Sequence, residues 1–110
     1  MSAPAIEHQL LNRPTLERFQ ELAQRWREGQ ALESSMTRLV TDPAYQQIIG
    51  MGAAAVPFLL AELRRERDHW FWALASITGE DPVPERSRGD LVEMAGAWLR
   101  WGGAHGYLPE

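Results

Sequence analysis

The sequence predicts an all-α fold, a compact bundle of about four to five helices. Apolar residues recur at spacings of three and four in several segments, as they do along the buried side of a helix. Asp, Pro and Gly residues stand between these segments, where they start and stop helices. No segment alternates apolar and polar residues in the way that a half-buried strand does.

The chain of 110 residues is long enough for one compact domain and too short for two. We expect residues 1–13 to form a flexible N-terminal arm and residues 14–108 to form a single helical domain. Pro14 and Thr15 open the first predicted helix, and Gly29 ends it. The apolar positions of this helix fall on one side and are Leu16, Phe19, Leu22, Ala23 and Trp26.

The middle of the chain contains one weak helix signal and one strong signal. Residues 31–41 suit a short helix, although their serines and threonines are poor helix formers. Asp42-Pro43 is a clear start, because Asp accepts a hydrogen bond at the N-cap and Pro fits the first helical turn. The helix that it opens ends at Gly50.

Two further helices are predicted over about residues 53–66 and 69–78. Pro57 falls in the first turn of the earlier helix, where a missing amide donor costs little. Asp68 is the predicted cap of the later helix, and Gly79 is its predicted end. The buried stripe of the earlier helix is formed by Val56, Leu59, Leu60 and Leu63.

The last helix is predicted over about residues 91–102. It follows the segment EDPVPERSRG, which is a loop by composition. Asp90 and Glu93 have the spacing of a capping box, in which each side chain bonds the backbone amide of the other residue.

Composition excludes several chemistries. The formal net charge is −4, all 11 basic residues are arginines, and cysteine is absent. These facts exclude a Schiff-base lysine, a phosphate-loop lysine, a thiol nucleophile and a zinc–thiolate site. We expect no cofactor and no metal, and the acidic balance disfavours general binding to nucleic acid. The start of the chain has no signal-like pattern and no stretch approaches ~20 apolar residues, so we expect a cytoplasmic protein.

Residues 52–60, GAAAVPFLL, and residues 73–79, ALASITG, carry a resemblance to a known repeat. They are similar to the opening of the first helix and the close of the second helix of a HEAT-type repeat. The wider run from Asp42 to Leu99 is similar to short bacterial proteins of no established function. The resemblance implies a protein-binding scaffold. Stacked repeats need about three neighbours, so we expect one HEAT-like hairpin, over about residues 50–80, with the flanking helices packed around it.

Five tryptophans pose the main question of this sequence. Successive helical residues turn by about 100°, so Trp70 and Trp72 point to nearly opposite sides of one helix. Trp70 joins the stripe that we expect to be buried, while Trp72 needs cover from another part of the chain or from a partner. Trp98 continues the buried stripe of the last helix, and Trp101 is offset toward the surface.

These patterns predict a non-enzymatic protein-binding module with no catalytic residue. Aromatic residues and arginine dominate interface energetics, so the predicted partner contacts are Tyr45, Arg67, Trp72 and Trp101. A more specific hypothesis is an antitoxin-like or immunity-like neutraliser of a partner protein. The alternative is a nucleic-acid-associated regulator that uses the arginines at 64–67 and 86–88.

Two sequence patterns could in principle form a cofactor or catalytic site, and we expect neither of them to do so. Residues 50–55, GMGAAA, match a dinucleotide-binding fingerprint but follow a helical pattern and not a strand, so we assign the glycines to a turn. His69, Glu80 and Asp81 would have to converge in one pocket to act as acids, bases or ligands.

Overall fold

The computed structural model describes residues 3–30, 35–66 and 69–107, with side chains for residues 13–29, 35–65 and 69–107. The all-α prediction is confirmed, because this part of the chain contains helices and no strand. The described residues form six α-helices: α1 (Ala3–Gln30), α2 (Met36–Thr41), α3 (Pro43–Gly50), α4 (Val56–Glu66), α5 (Phe71–Thr78) and α6 (Leu91–Ala104). Two 3-10 turns, Gly52–Ala55 and Glu85–Ser87, lie between them. The chain groups into two compact units, Met1–Met51 and Gly52–Glu110.

In the first unit, α3 packs against both α1 and α2. Trp26 of α1 is 1% exposed and connects the three helices. Its indole Nε1 donates to the carbonyl oxygen of Leu39 at 2.8 Å, and its ring lies 5.5 Å from the ring of Tyr45. The predicted start at Asp42 is confirmed, because its Oδ1 accepts from the Ala44 amide at 2.8 Å. The predicted stripe on α1 is buried at Phe19, Leu22, Ala23 and Trp26.

The predicted limits of the first helix were wrong at both ends. α1 begins at Ala3, so its backbone is helical through most of the segment expected to be an arm, and Pro14 lies inside it. Residues 5–13 are mostly good helix formers, and Pro14 is exposed, where water can bond the carbonyl that its missing amide leaves unpaired. At the other end, the helix continues past Gly29 to Gln30.

In the second unit, α4 packs against α5 and α6, and the Gly52–Ala55 turn contacts α4 and α5. Gly52 and Gly79 both have positive φ, at 69° and 72°, a conformation that glycine adopts without steric cost. Gly79 therefore ends α5 as predicted, with its amide bonded to the carbonyl of Ala75. The core is rich in leucine and tryptophan and includes Val56, Leu59, Leu60, Leu63, Trp70, Ala73, Leu74 and Trp98.

The starts of α5 and α6 differ in part from prediction. Trp70 occupies the N-cap position of α5 without a side-chain cap bond, and Asp68 lies outside the described residues. Asp90 caps α6, because its Oδ1 accepts from the Glu93 amide at 3.1 Å. The predicted capping box would have the Glu93 carboxylate accept a hydrogen bond from the Asp90 amide. In the structure, this carboxylate accepts a hydrogen bond from the Ser87 hydroxyl at 2.6 Å.

Within the described ranges, no single helix has the length and apolarity needed to cross a membrane. The segments Pro43–Gly50 and Gly52–Arg65 reach that length and apolarity only when they are counted together as a pair.

Candidate partner-binding site

The five tryptophans divide into three that are buried and two that reach the surface. Trp26, Trp70 and Trp98 are at most 1% exposed. Trp101 is half-buried, whereas Trp72 is 59% exposed. The helical turn of about 100° per residue thus places Trp70 in the core and Trp72 outside it. Trp72 could be covered by another part of the chain or by a partner, and the described part of the chain does not cover it completely.

Trp72 lies on a groove of about 290 Å³ in the second unit. α5 and α6 form two walls of the groove, and the loop between them supplies the rest. Most of the lining is apolar or aromatic, and only two of the lining side chains carry charge. The lining residues are Phe71, Trp72, Ala75, Asp81, Val83, Arg88, Met94 and Trp98.

The loop wall of the groove is held by local hydrogen bonds. The hydroxyl of Thr78 accepts from the Glu80 amide at 3.1 Å, and Asp81 Oδ1 accepts from the Val83 amide at 3.3 Å. Val83 is 6% exposed and anchors the middle of the loop. Ser87 is also buried, and its amide bonds the carbonyl of Pro84 at 2.9 Å. A segment predicted as a loop from its composition therefore forms a defined wall.

The two charged groups of the groove neutralise each other. Arg88 donates from Nη2 to Asp81 Oδ2, and its Nε lies 3.5 Å from Glu85 Oε2. The hydrogen bond from Arg88 is the main reason that the pKa of the Asp81 carboxyl lies below its ordinary value of 3.8. The same bond raises the pKa of the Arg88 guanidinium. The groove therefore presents an apolar surface, and the opposite charges of the ion pair in its lining cancel.

Replacing Arg88 by glutamine tests this pair. A lowered pKa means that ionised Asp81 stabilises the folded chain above about pH 3.8, and that this contribution is lost as the pH falls through the folded-state pKa. We expect Arg88→Gln to raise the Asp81 pKa toward 3.8, measured by carboxyl-carbon NMR titration. Because both side chains are about half exposed, the effect on stability is small. An unchanged Asp81 pKa in Arg88→Gln would show that the pair does not form in solution.

Two exposed apolar residues stand at the start of α6, shortly before the groove residue Met94. Leu91 is 42% exposed and lies three residues before Met94, on the same side of the helix. Val92, the next residue, is 59% exposed. Trp72, Leu91 and Val92 are three of the four large apolar residues that are exposed in the described chain. We use the name Trp72 groove for the groove lining together with Leu91.

The structure does not bring the four predicted contact residues together. Trp72 lies in the groove, and Trp101 lines a different cavity in the same unit. Tyr45 is 0% exposed in the core of the first unit and offers no surface to a partner. Arg67 lies outside the described residues.

Sequence reasoning missed the other groove residues. Met94 precedes Trp98 by four residues, a spacing that predicts burial on the core side of the last helix, and it is half-buried at the groove. Val83 is predicted only as a loop residue, and Arg88 enters the prediction only through the alternative function, the nucleic-acid-associated regulator. The available signal was the pair of prolines around Val83, which restricts the loop to extended backbone and can hold it against α5 and α6.

A second cavity of about 390 Å³ lies in the same unit. Three of its lining residues, Trp101, His105 and Tyr107, form a stack of rings. The His105 and Tyr107 rings lie nearly parallel to the Trp101 ring, at centroid distances of 4.4 Å and 5.5 Å. His105 Nδ1 donates to the carbonyl oxygen of Trp101 at 2.8 Å, which fixes the imidazole. The remaining lining residues are Ala53, Val56, Ile77, Thr78 and Glu80.

The polar residues that could have formed a reactive site are dispersed. Glu80 lines the second cavity, Asp81 lines the Trp72 groove, and His69 lines neither. Across the residues that the structure describes, no group of three or more His, Asp or Glu side chains is placed to hold a metal ion.

Two arginines of the second unit, Arg65 and Arg88, are paired with acidic neighbours. Arg65 Nη1 lies 3.0 Å from Glu62 Oε2, and Glu62 is only 7% exposed. Arg88 is held by Asp81 and Glu85. A phosphate backbone would have to compete with these carboxylates for both guanidinium groups.

Comparison with protein families, with curated proteins and with solved structures found no match to this chain.

Proposed function

We propose that the protein is a non-enzymatic binding module that docks another protein in the Trp72 groove. The observation that carries the proposal is the exposure of Trp72, at 59%, on an apolar groove whose charges are already paired. In the most specific form of the proposal, the partner is a protein made alongside this chain. This chain then neutralises the partner, as an antitoxin or immunity protein does.

The energetics of Trp72 fit a binding residue. A tryptophan buries about 150–250 Å², so covering its exposed part would contribute roughly 2–4 kcal/mol at about 25 cal/mol per Å². A contribution of this size is typical of the few residues that dominate an interface. Tryptophan is also the residue type most enriched at such positions.

The groove favours apolar side chains presented by an amphipathic helix. Its lining is mainly apolar and includes Trp72 of α5 and Met94 of α6. Helices that dock in grooves place their apolar residues three and four positions apart along one side. The Asp81–Arg88 pair at the groove leaves no net charge that would select a strongly acidic or basic segment.

Site-specific photocrosslinking tests the proposal. We expect p-benzoylphenylalanine at position 72 to crosslink a distinct protein in the native cell, because the side chain faces the partner. The matched probe is position 64, which is also exposed in this unit and belongs to the arginine-rich helix end of the alternative hypothesis. Crosslinks to nucleic acid or protein at position 64, with none at position 72, would contradict the groove and favour the nucleic-acid-associated regulator.

A further inference from the structure

The cavity beside Trp101 has the chemistry of a site for an organic cation. Its lining contains one carboxylate, on Glu80, and no arginine. Within the described part of the chain, the Glu80 carboxylate has no ion pair or hydrogen bond that would neutralise it. An anionic ligand would meet this charge without an arginine to offset it, so the cavity disfavours anions.

The aromatic rings add a second feature that suits a cation. His105 and Tyr107 each stack on the Trp101 ring, and all three residues line the cavity. A cation within about 6 Å of an aromatic ring is attracted by the negative charge density on the ring face. Rings that are already stacked on one another are held in place, so little side-chain freedom is lost when a ligand binds.

The rest of the lining indicates which kind of cation fits. Ala53, Val56 and Ile77 supply apolar surface, and the Thr78 hydroxyl is already bonded to the Leu74 carbonyl at 2.7 Å. This hydroxyl also accepts from the Glu80 amide at 3.1 Å, so it has little capacity left to replace the water around a small, strongly hydrated ammonium ion. A cation that carries methyl or longer alkyl groups loses less hydration and contacts the apolar part of the cavity.

We propose that this cavity binds an alkylated ammonium group, with Glu80 as the counter-ion and the stacked aromatic residues Trp101, His105 and Tyr107 as the ring contacts. The group is carried either by a free small molecule or by a methylated lysine side chain. This site is separate from the Trp72 groove in its lining residues and does not depend on the function proposed there.

NMR titration with choline tests the proposal, with 3,3-dimethyl-1-butanol as its uncharged counterpart of the same shape. We expect choline to give saturable shifts at His105 and Tyr107 and to bind at least about tenfold more tightly than the alcohol, because the alcohol lacks the charge. Equal binding of the two compounds, or shifts confined to other residues, would overturn the proposal.

Glu80→Gln is the decisive variant, and Glu85→Gln is its matched control. Both remove one negative charge from the same loop, and the Glu85 side chain is 93% exposed and outside the cavity lining. We expect the dissociation constant for choline to rise about tenfold or more in Glu80→Gln and to stay within about twofold in Glu85→Gln. Equal affinity in the two variants would contradict a counter-ion role for Glu80.

The source of the ammonium group is distinguished by a second ligand. A trimethyllysine amide that binds more tightly than choline assigns the site to a protein side chain. Tighter binding of choline assigns it to a free small molecule. Either order supports the ammonium site, whereas saturable binding of neither compound overturns it.

Discussion

Replacement of Trp26 by alanine is expected to lower the free energy of unfolding by about 3–5 kcal/mol. Trp26 is 1% exposed, packs on Tyr45, and donates its indole hydrogen bond to the Leu39 carbonyl. The substitution removes contacts with two neighbouring helices and leaves a buried carbonyl without its donor. Because small domains are stable by about 5–15 kcal/mol, a loss of this size removes a large part of the total stability. Urea denaturation, monitored by circular dichroism, measures this loss in the free energy of unfolding.

Two controls separate packing from hydrogen bonding in this region. Trp26→Phe keeps an aromatic ring but lacks the indole N–H. We expect a smaller loss of stability than in Trp26→Ala. It consists of the roughly 1–3 kcal/mol that a buried unsatisfied carbonyl costs, together with the effect of the lost ring volume. Gln20→Ala changes an exposed residue of the same helix and should alter stability by no more than about 0.5 kcal/mol. Equal effects of Trp26→Ala and Gln20→Ala would mean that Trp26 is not a core residue.

Trp70→Ala and Trp72→Ala are expected to have very different effects, although the residues are two positions apart. Trp70 is 0% exposed, so its removal leaves a cavity and should cost about 3–5 kcal/mol. Trp72 is mostly exposed, and alanine is the better helix former, so its removal should change stability by less than about 1 kcal/mol. Urea denaturation of the two variants side by side measures the difference. Similar losses in both variants would show that another part of the chain covers Trp72.

Local sequence patterns predicted the helices well. The helix starts and ends depend on hydrogen bonds or backbone angles within a few residues, so they could be predicted directly from the sequence. This holds for Asp42-Pro43, Gly79 and Asp90. Pro14 misled the prediction because it competes with a long run of helix-forming residues. Proline penalises a helix interior, but it does not determine by itself where a helix begins.

The candidate site was less predictable, because it depends on contacts between distant segments. Helical geometry separates Trp70 from Trp72, but it does not tell which face another segment covers. Tyr45 illustrates the limit: its residue type suits an interface, and the packing of α1 against α3 buries it completely. The Trp72 groove needs the loop after Gly79 to lie beside α5 and α6, and composition alone does not encode that placement.

The affinity of Trp72→Ala for the purified protein that crosslinks at position 72 tests the role of the Trp72 groove most directly. We expect a dissociation constant at least about 30-fold weaker than that of the unsubstituted chain, which corresponds to about 2 kcal/mol, with the free energy of unfolding nearly unchanged. A dissociation constant within about twofold of the original, measured on the folded variant, would contradict the role of the Trp72 groove in binding a partner.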